Sequence, residues 1–142
     1  MKTWFVDIDG TIVEHRSNKE ISEGSSEVLL PGSKDFLDEK RINGDQIILT
    51  TARPSLYREQ TVSMLQTFAI PYDEIIFDLS PYERILINDI KPKGAHDNGY
   101  RKEEMYTAHA INVKRNEGLE DYRGLEPRFT WSYKRKYTSN TD

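Results

Sequence analysis

Bulky apolar residues fall in short clusters, separated by longer amphipathic or polar stretches. The first cluster, Trp4-Phe5-Val6, runs into Asp7 and Asp9, and similar ones lie at 46–50, 74–77, 84–87 and 108–113. Each is short and rich in β-branched residues, as expected of strands covered on both faces in a parallel sheet. A helix is expected to start at Pro31-Gly32 and end at Asn43-Gly44, with Phe36, Leu37 and Ile42 on its apolar side. A second runs from about Ser55 to Phe68, with Val62, Leu65 and Phe68 or Ala69 inward, and Pro71 stops it. Strand alternating with helix is the βαβ pattern of an α/β layered fold.

Two stretches depart from that rhythm. Residues 14–30 are polar and follow the acidic strand directly, so they read as a mobile flap or hairpin at the edge of a site. The tail 118–142 interleaves aromatic and basic residues, among them Arg128, Phe129, Trp131, Lys134, Arg135 and Tyr137. The expected organisation is therefore one domain over 1–117 followed by an aromatic and basic extension over 118–142. A chain of 142 residues suffices for one domain with a real core. Its net charge of −4 argues against broad binding to nucleic acid or membrane surfaces. The absence of cysteine excludes disulfides and thiolate metal sites. No run reaches transmembrane length, and the N-terminal apolar run is too short for a signal segment, so a soluble, cytoplasmic protein is expected.

In α/β sheets, ligands bind beyond the carboxyl ends of the strands. Chemistry-bearing residues gather there: Asp7-Ile8-Asp9-Gly10-Thr11 after the first strand, Thr50-Thr51-Ala52-Arg53 after the second, and Asn88-Asp89 after the fourth. Two carboxylates leaving one strand on the same side repel each other and require a cation or a proton. A magnesium ion with oxygen ligands meets that requirement. His15, His96 and His109 lack ligand spacing and read as ordinary surface or core residues.

These three motifs, in this order, resemble those of the haloacid dehalogenase superfamily of magnesium-dependent phosphohydrolases, over roughly residues 3–113. The resemblance implies a three-layer, Rossmann-like fold with a mainly parallel central sheet of about five strands. It assigns Asp7 as nucleophile forming an aspartyl-phosphate, Asp9 as acid and base, and Thr51 as a hydrogen-bond donor to the phosphoryl group. Gly10, Thr11 and Arg53 would contact substrate, and Asp7, Asp9 (through its backbone carbonyl) and Asp89 would hold Mg2+. The family's lysine ahead of its fourth motif has no counterpart in 77–84, and Lys91 is the expected substitute. No insertion large enough for a cap domain is visible. An open site would suit an extended substrate, or a second copy of the chain would complete it as a lid. The expected activity is phosphomonoester hydrolysis, with a sugar phosphate or other phosphorylated metabolite as substrate. The alternatives are a polynucleotide-end phosphatase, in which the tail would stack on nucleic acid, and a weakly catalytic phosphate- or metal-binding module. No phosphate-cradling Gly-x-x-x-x-Gly-Lys loop points to a kinase activity.

Overall fold

The computed structural model describes residues 1–125 and the backbone of two further strands, Thr130–Ser132 and Arg135–Thr138. The aromatic and basic side chains beyond Leu125, on which the expected stacking rests, lie outside the described residues. The chain divides into two compact units, Met1–Tyr82 with Val113–Gly124, and Glu83–Asn112 with Leu125–Asp142.

The first unit is α/β. Strand β1 (Thr3–Asp7) pairs in parallel with β2 (Gln46–Thr50), which pairs in parallel with β3 (Glu74–Ile76). The register sets Asp7 beside Thr50, and Thr50 beside Ile76, so all three strands end at one level. Between β1 and β2 lie the short helix α1 (Asn18–Ser22) and α2 (Ser33–Ile42); a 3-10 turn at Ser55–Tyr57 and α3 (Arg58–Thr67) lead to β3.

The expected two helices are present, but their buried faces differ from the periodic reading. In α2, Phe36 and Leu37 are buried whereas Ile42, in the last turn before β2, is 83 % exposed. In α3 the buried set is Thr61, Met64 and Leu65, a stripe rotated toward the start of the helix relative to the expected one. Thr61 escaped the apolar count because its hydroxyl is satisfied inside the helix, donating to the Tyr57 carbonyl at 2.8 Å.

Trp4 meets Phe36 edge to face at 5.5 Å, and the Lys40 ammonium lies 4.6 and 4.5 Å from their ring centres. Lys40 is thereby accommodated at 6 % exposure, its stem in the core and its charge over two π faces. The segment 113–124 returns to this unit and packs on the start of α2. The Leu119 amide donates to the Pro31 carbonyl at 2.9 Å, and Leu119 and Tyr122 join the core. The approach is close: a Cβ on Gly32 would stand 2.5 Å from the Glu120 backbone, and one on Gly118 would overlap the Pro31 carbonyl.

The second unit contains the hairpin β4 (Gly94–His96) and β5 (Gly99–Arg101), and a sheet in which β6 (Ala110–Asn112) pairs in parallel with β7 (Thr130–Ser132) and β7 antiparallel with β8 (Arg135–Thr138). The described sheets thus have three, two and three strands, and no sheet of five is formed among the described residues. The expected fourth strand at 84–87 takes no strand pairing there; Ile85 and Ile87 are 83 % and 92 % exposed. The expected fifth is shortened to β6 and belongs to a different sheet. An apolar run shows that a segment favours extended structure, but a strand also needs a partner edge, which periodicity does not identify. Among the described residues every buried hydrophobic side chain belongs to the first unit. No helix among them is long and apolar enough to cross a membrane.

Candidate active site at the carboxyl ends of the parallel strands

The loop after β1 is built by one carbonyl. Ile8 accepts from the amides of Thr11, Ile12 and Val13 at 3.3, 3.0 and 3.1 Å, curling the chain into a tight turn directly after the strand. Gly10 occupies φ +86 in that turn, a conformation in which a side chain would be strained. Asp9 is therefore a residue of the turn, outside β1, and strand alternation does not account for its placement. Ile8 and Ile12 are fully buried beneath it and anchor the loop. The Thr11 hydroxyl lies 3.4 Å from Asp7 Oδ2, and Ser33, at the start of α2, donates to the Thr11 carbonyl at 3.1 Å.

The loop after β2 meets this turn. Thr51, fully buried, donates its hydroxyl to Asp9 Oδ2 at 3.0 Å and accepts the Arg53 amide at 3.0 Å. Arg53 Nη2 and Nε reach Asp9 Oδ1 at 2.8 and 3.0 Å. The opposite side of the guanidinium faces Glu27, with Nη1 3.1 Å from Oε2 and Nη2 hydrogen-bonded to Oε1. Nη1 also donates to the Thr61 hydroxyl at 3.2 Å. With its side chain 1 % exposed, Arg53 is a buried cation between two largely covered carboxylates. Burial alone would lower its pKa, but the hydrogen bonds it donates to Glu27 and Asp9 outweigh this and raise it above the ordinary value. It is permanently charged.

Glu27 belongs to the polar stretch expected to be a flap. That stretch is an arch with tied ends: Glu14 donates its amide to the Val28 carbonyl at 2.8 Å, and Leu30 to the Ile12 carbonyl at 2.9 Å. At its crown α1 carries a complete capping box, with the Glu20 amide on the Ser17 hydroxyl at 3.2 Å and the Ser17 amide on Glu20 at 3.1 Å. The Ser-x-x-Glu spacing at 17–20 is a helix-start signal that the sequence carries and the polar reading passed over. Nothing local marks Glu27 as an Arg53 partner, since 26 positions separate them.

The loop after β3 closes the third side. Asp78 donates its amide to the Arg53 carbonyl at 2.9 Å and accepts the Ser55 amide at 2.8 Å. Asn116, from the returning segment, donates its amide to the Gly10 carbonyl at 2.9 Å and accepts the His15 amide at 2.8 Å.

Of the residues expected at the site, Asp7 ends β1 and Asp9, Gly10, Thr11, Thr51 and Arg53 occupy the loops of the first unit. Asp89 and Lys91 belong to the second, where Lys91 Nζ lies 2.6 Å from Asp89 Oδ1. The Lys91 hydrogen bond holds the Asp89 carboxyl below its ordinary pKa. Among the described residues, no group of three or more His, Asp or Glu side chains is arranged to hold a metal ion. Asp9 Oδ1 and Oδ2 are both engaged by Arg53 and Thr51. The Asp7 carboxylate and the Asp9 carbonyl are hard-oxygen donors of the kind magnesium takes.

No family model matches the sequence, and no curated protein matches it. Two solved structures are similar. A chain of a Pnkp1/Rnl/Hen1 complex aligns over 92 % of this chain and 45 % of its own length, with a TM-score of 0.53 and 19 % identity. A crystal structure of a target from Vibrio cholerae aligns over 62 % of this chain and 80 % of its own, with a TM-score of 0.44 and 22 % identity. At these identities the first likeness concerns the fold alone, and this chain spans less than half of that neighbour.

Proposed function

We propose that the chain is a magnesium-dependent phosphomonoester hydrolase of the haloacid dehalogenase type, acting through an aspartyl-phosphate on Asp7. The observation that carries this reading is the fastening of Asp9 by Thr51 and Arg53 in a loop beside Asp7, at the carboxyl ends of parallel strands. The parallel three-stranded α/β sheet supports this reading, and the finer assignment to a Rossmann-like sheet without a cap rests on the sequence resemblance.

In the proposed reaction an Asp7 carboxylate oxygen attacks phosphorus in line while the bond to the leaving oxygen breaks, and Asp9 delivers a proton to that oxygen. Asp9, now a carboxylate, takes a proton from water as the water oxygen attacks phosphorus; inorganic phosphate leaves and the Asp7 carboxylate is restored. The contacts with Arg53 fix the orientation of the Asp9 carboxyl for both steps. A bound magnesium ion would neutralise charge on the phosphoryl oxygens, held by Asp7 and the Asp9 carbonyl. The Thr51 hydroxyl serves Asp9 directly, so in this reading its contribution is to orient the acid.

Hydrolysis of an aryl phosphate with magnesium tests the proposal, with wild type compared to Asp7→Asn. Turnover should be abolished in the variant. A wild type that shows no turnover above the variant across divalent metals and pH sinks the reading. A phosphosugar panel set against a 3′-phosphorylated oligonucleotide then separates a metabolite phosphatase from a polynucleotide-end phosphatase.

A further inference from the structure

The acidic loop needs a cation for an incoming phosphate, and the basic side chains around it are nearly all committed. Arg53 is saturated by Asp9 and Glu27. Arg16 pairs with Glu14 at 3.1 Å, and Lys114 with Glu117 at 3.3 Å. Arg115 differs. It is exposed, and it forms no ion pair among the described residues. Its side chain crosses the Asp7–Thr11 loop: a Cβ on Gly10 would stand 3.2 Å from Arg115 Cγ and 3.7 Å from its Nε.

This placement is secured by neighbours. Asn116, the next residue, holds φ +64 and clamps both the Gly10 carbonyl and the His15 amide. On the far side, Gly118 and Leu119 lock against Pro31. A backbone tied on both sides therefore presents the Arg115 side chain over the one glycine between Asp9 and Thr11. The lack of a side chain at Gly10 is what allows Arg115 to lie so close.

The N–H groups of Arg53 are all taken by Asp9, Glu27 and Thr61, so an incoming phosphate must find its donors elsewhere. A magnesium ion offsets two charges; a guanidinium fork provides directed donors for the remaining phosphate oxygens, in the geometry that recognises phosphate best.

We propose that Arg115 is the substrate-phosphate-binding residue of this site and supplies the positive charge that the sequence reading sought in Lys91. The inference rests on the phosphohydrolase reading for its chemistry, but its test reads binding separately from turnover. Titration calorimetry with inorganic phosphate in the presence of magnesium compares wild type, Arg115→Ala, Arg115→Lys and Lys91→Ala. Phosphate should bind wild type, lose about ten-fold or more in affinity in Arg115→Ala, and recover in part in Arg115→Lys, which keeps the charge without the fork. The KM for aryl phosphate should rise in parallel. Because Arg115 is exposed, unchanged melting of the variants separates a binding loss from misfolding. Equal phosphate affinity in wild type and Arg115→Ala overturns the proposal, as does no phosphate binding by wild type, or a loss confined to Lys91→Ala. Phosphate binding through Arg115 without turnover upholds this inference and overturns the hydrolase reading alone.

Discussion

Arg53 Nη2 lies 2.8 Å from Asp9 Oδ1, with Nε 3.0 Å from the same oxygen, and the side chain that makes this contact is 1 % exposed. Removing a charge from water in this way is favourable only when its partners and hydrogen bonds are complete. Here Glu27 and the Thr61 hydroxyl complete them. The same contact that organises the proposed acid and base is thus a structural element of the unit, joining the loop after β2 to the turn after β1.

Arg53→Ala should therefore unfold the domain more readily, by about 3–5 kcal/mol, since it leaves two covered carboxylates facing each other. Urea denaturation measures the loss. A change below about 1 kcal/mol would mean that the cluster is solvated and that Arg53 is dispensable to the fold.

Glu27 is the side chain through which the arch holds Arg53. Glu27→Ala should cost about 1.5–3 kcal/mol, the usual range for hydrogen bonds to a charged group. It should also speed tryptic cleavage after Lys19, an exposed position in α1. Unaltered cleavage would show that the arch is held by its backbone bonds alone.

Gly118 and Gly24 sit at similar positive φ, +79 and +74, but only Gly118 faces another backbone. Alanine at Gly24 meets open space and should carry only the conformational penalty, about 1 kcal/mol. Alanine at Gly118 must also displace Pro31, so its melting temperature should fall clearly further. Equal effects at the two sites would refute the close packing of the returning segment on α2.

Acid sensitivity is expected from Asp45, which accepts the Lys2 amide and Trp4 Nε1, both at 2.9 Å. Burial acts to raise its pKa, but these two hydrogen bonds prevail and hold it below the ordinary 3.8. With the folded value below the unfolded one, the contribution is complete above the unfolded pKa and is lost as pH falls through the folded value. Denaturation followed from about pH 6 to pH 3 should show a steeper loss in wild type than in Asp45→Asn. Parallel curves would assign the acid sensitivity to other carboxylates.

The first three parallel strands, both main helices and the turn at Gly10 were legible in the chain itself. Apolar clusters, the Pro31-Gly32 start and Asn43-Gly44 stop, and a glycine after paired acids act over a few residues, where spacing carries the information. Asp7, Asp9, Thr51 and Arg53 were legible as candidates for the same reason, each standing at the end of an apolar cluster. What Arg53 does there was not. Its partners lie 44 and 26 positions away, and a buried arginine looks no different in sequence from an exposed one.

Tertiary structure alone decided that Glu27 completes the cluster and that residues 113–124 return to the first unit to bring Arg115 across Gly10. It also left 84–87 outside the three-stranded sheet. His15 and Asn116, joined across 101 positions, show why. Local preference determines what a segment tends to become. Which edges pair and which charges meet depends on closing long loops, a balance of chain entropy against contacts that no short window of sequence contains.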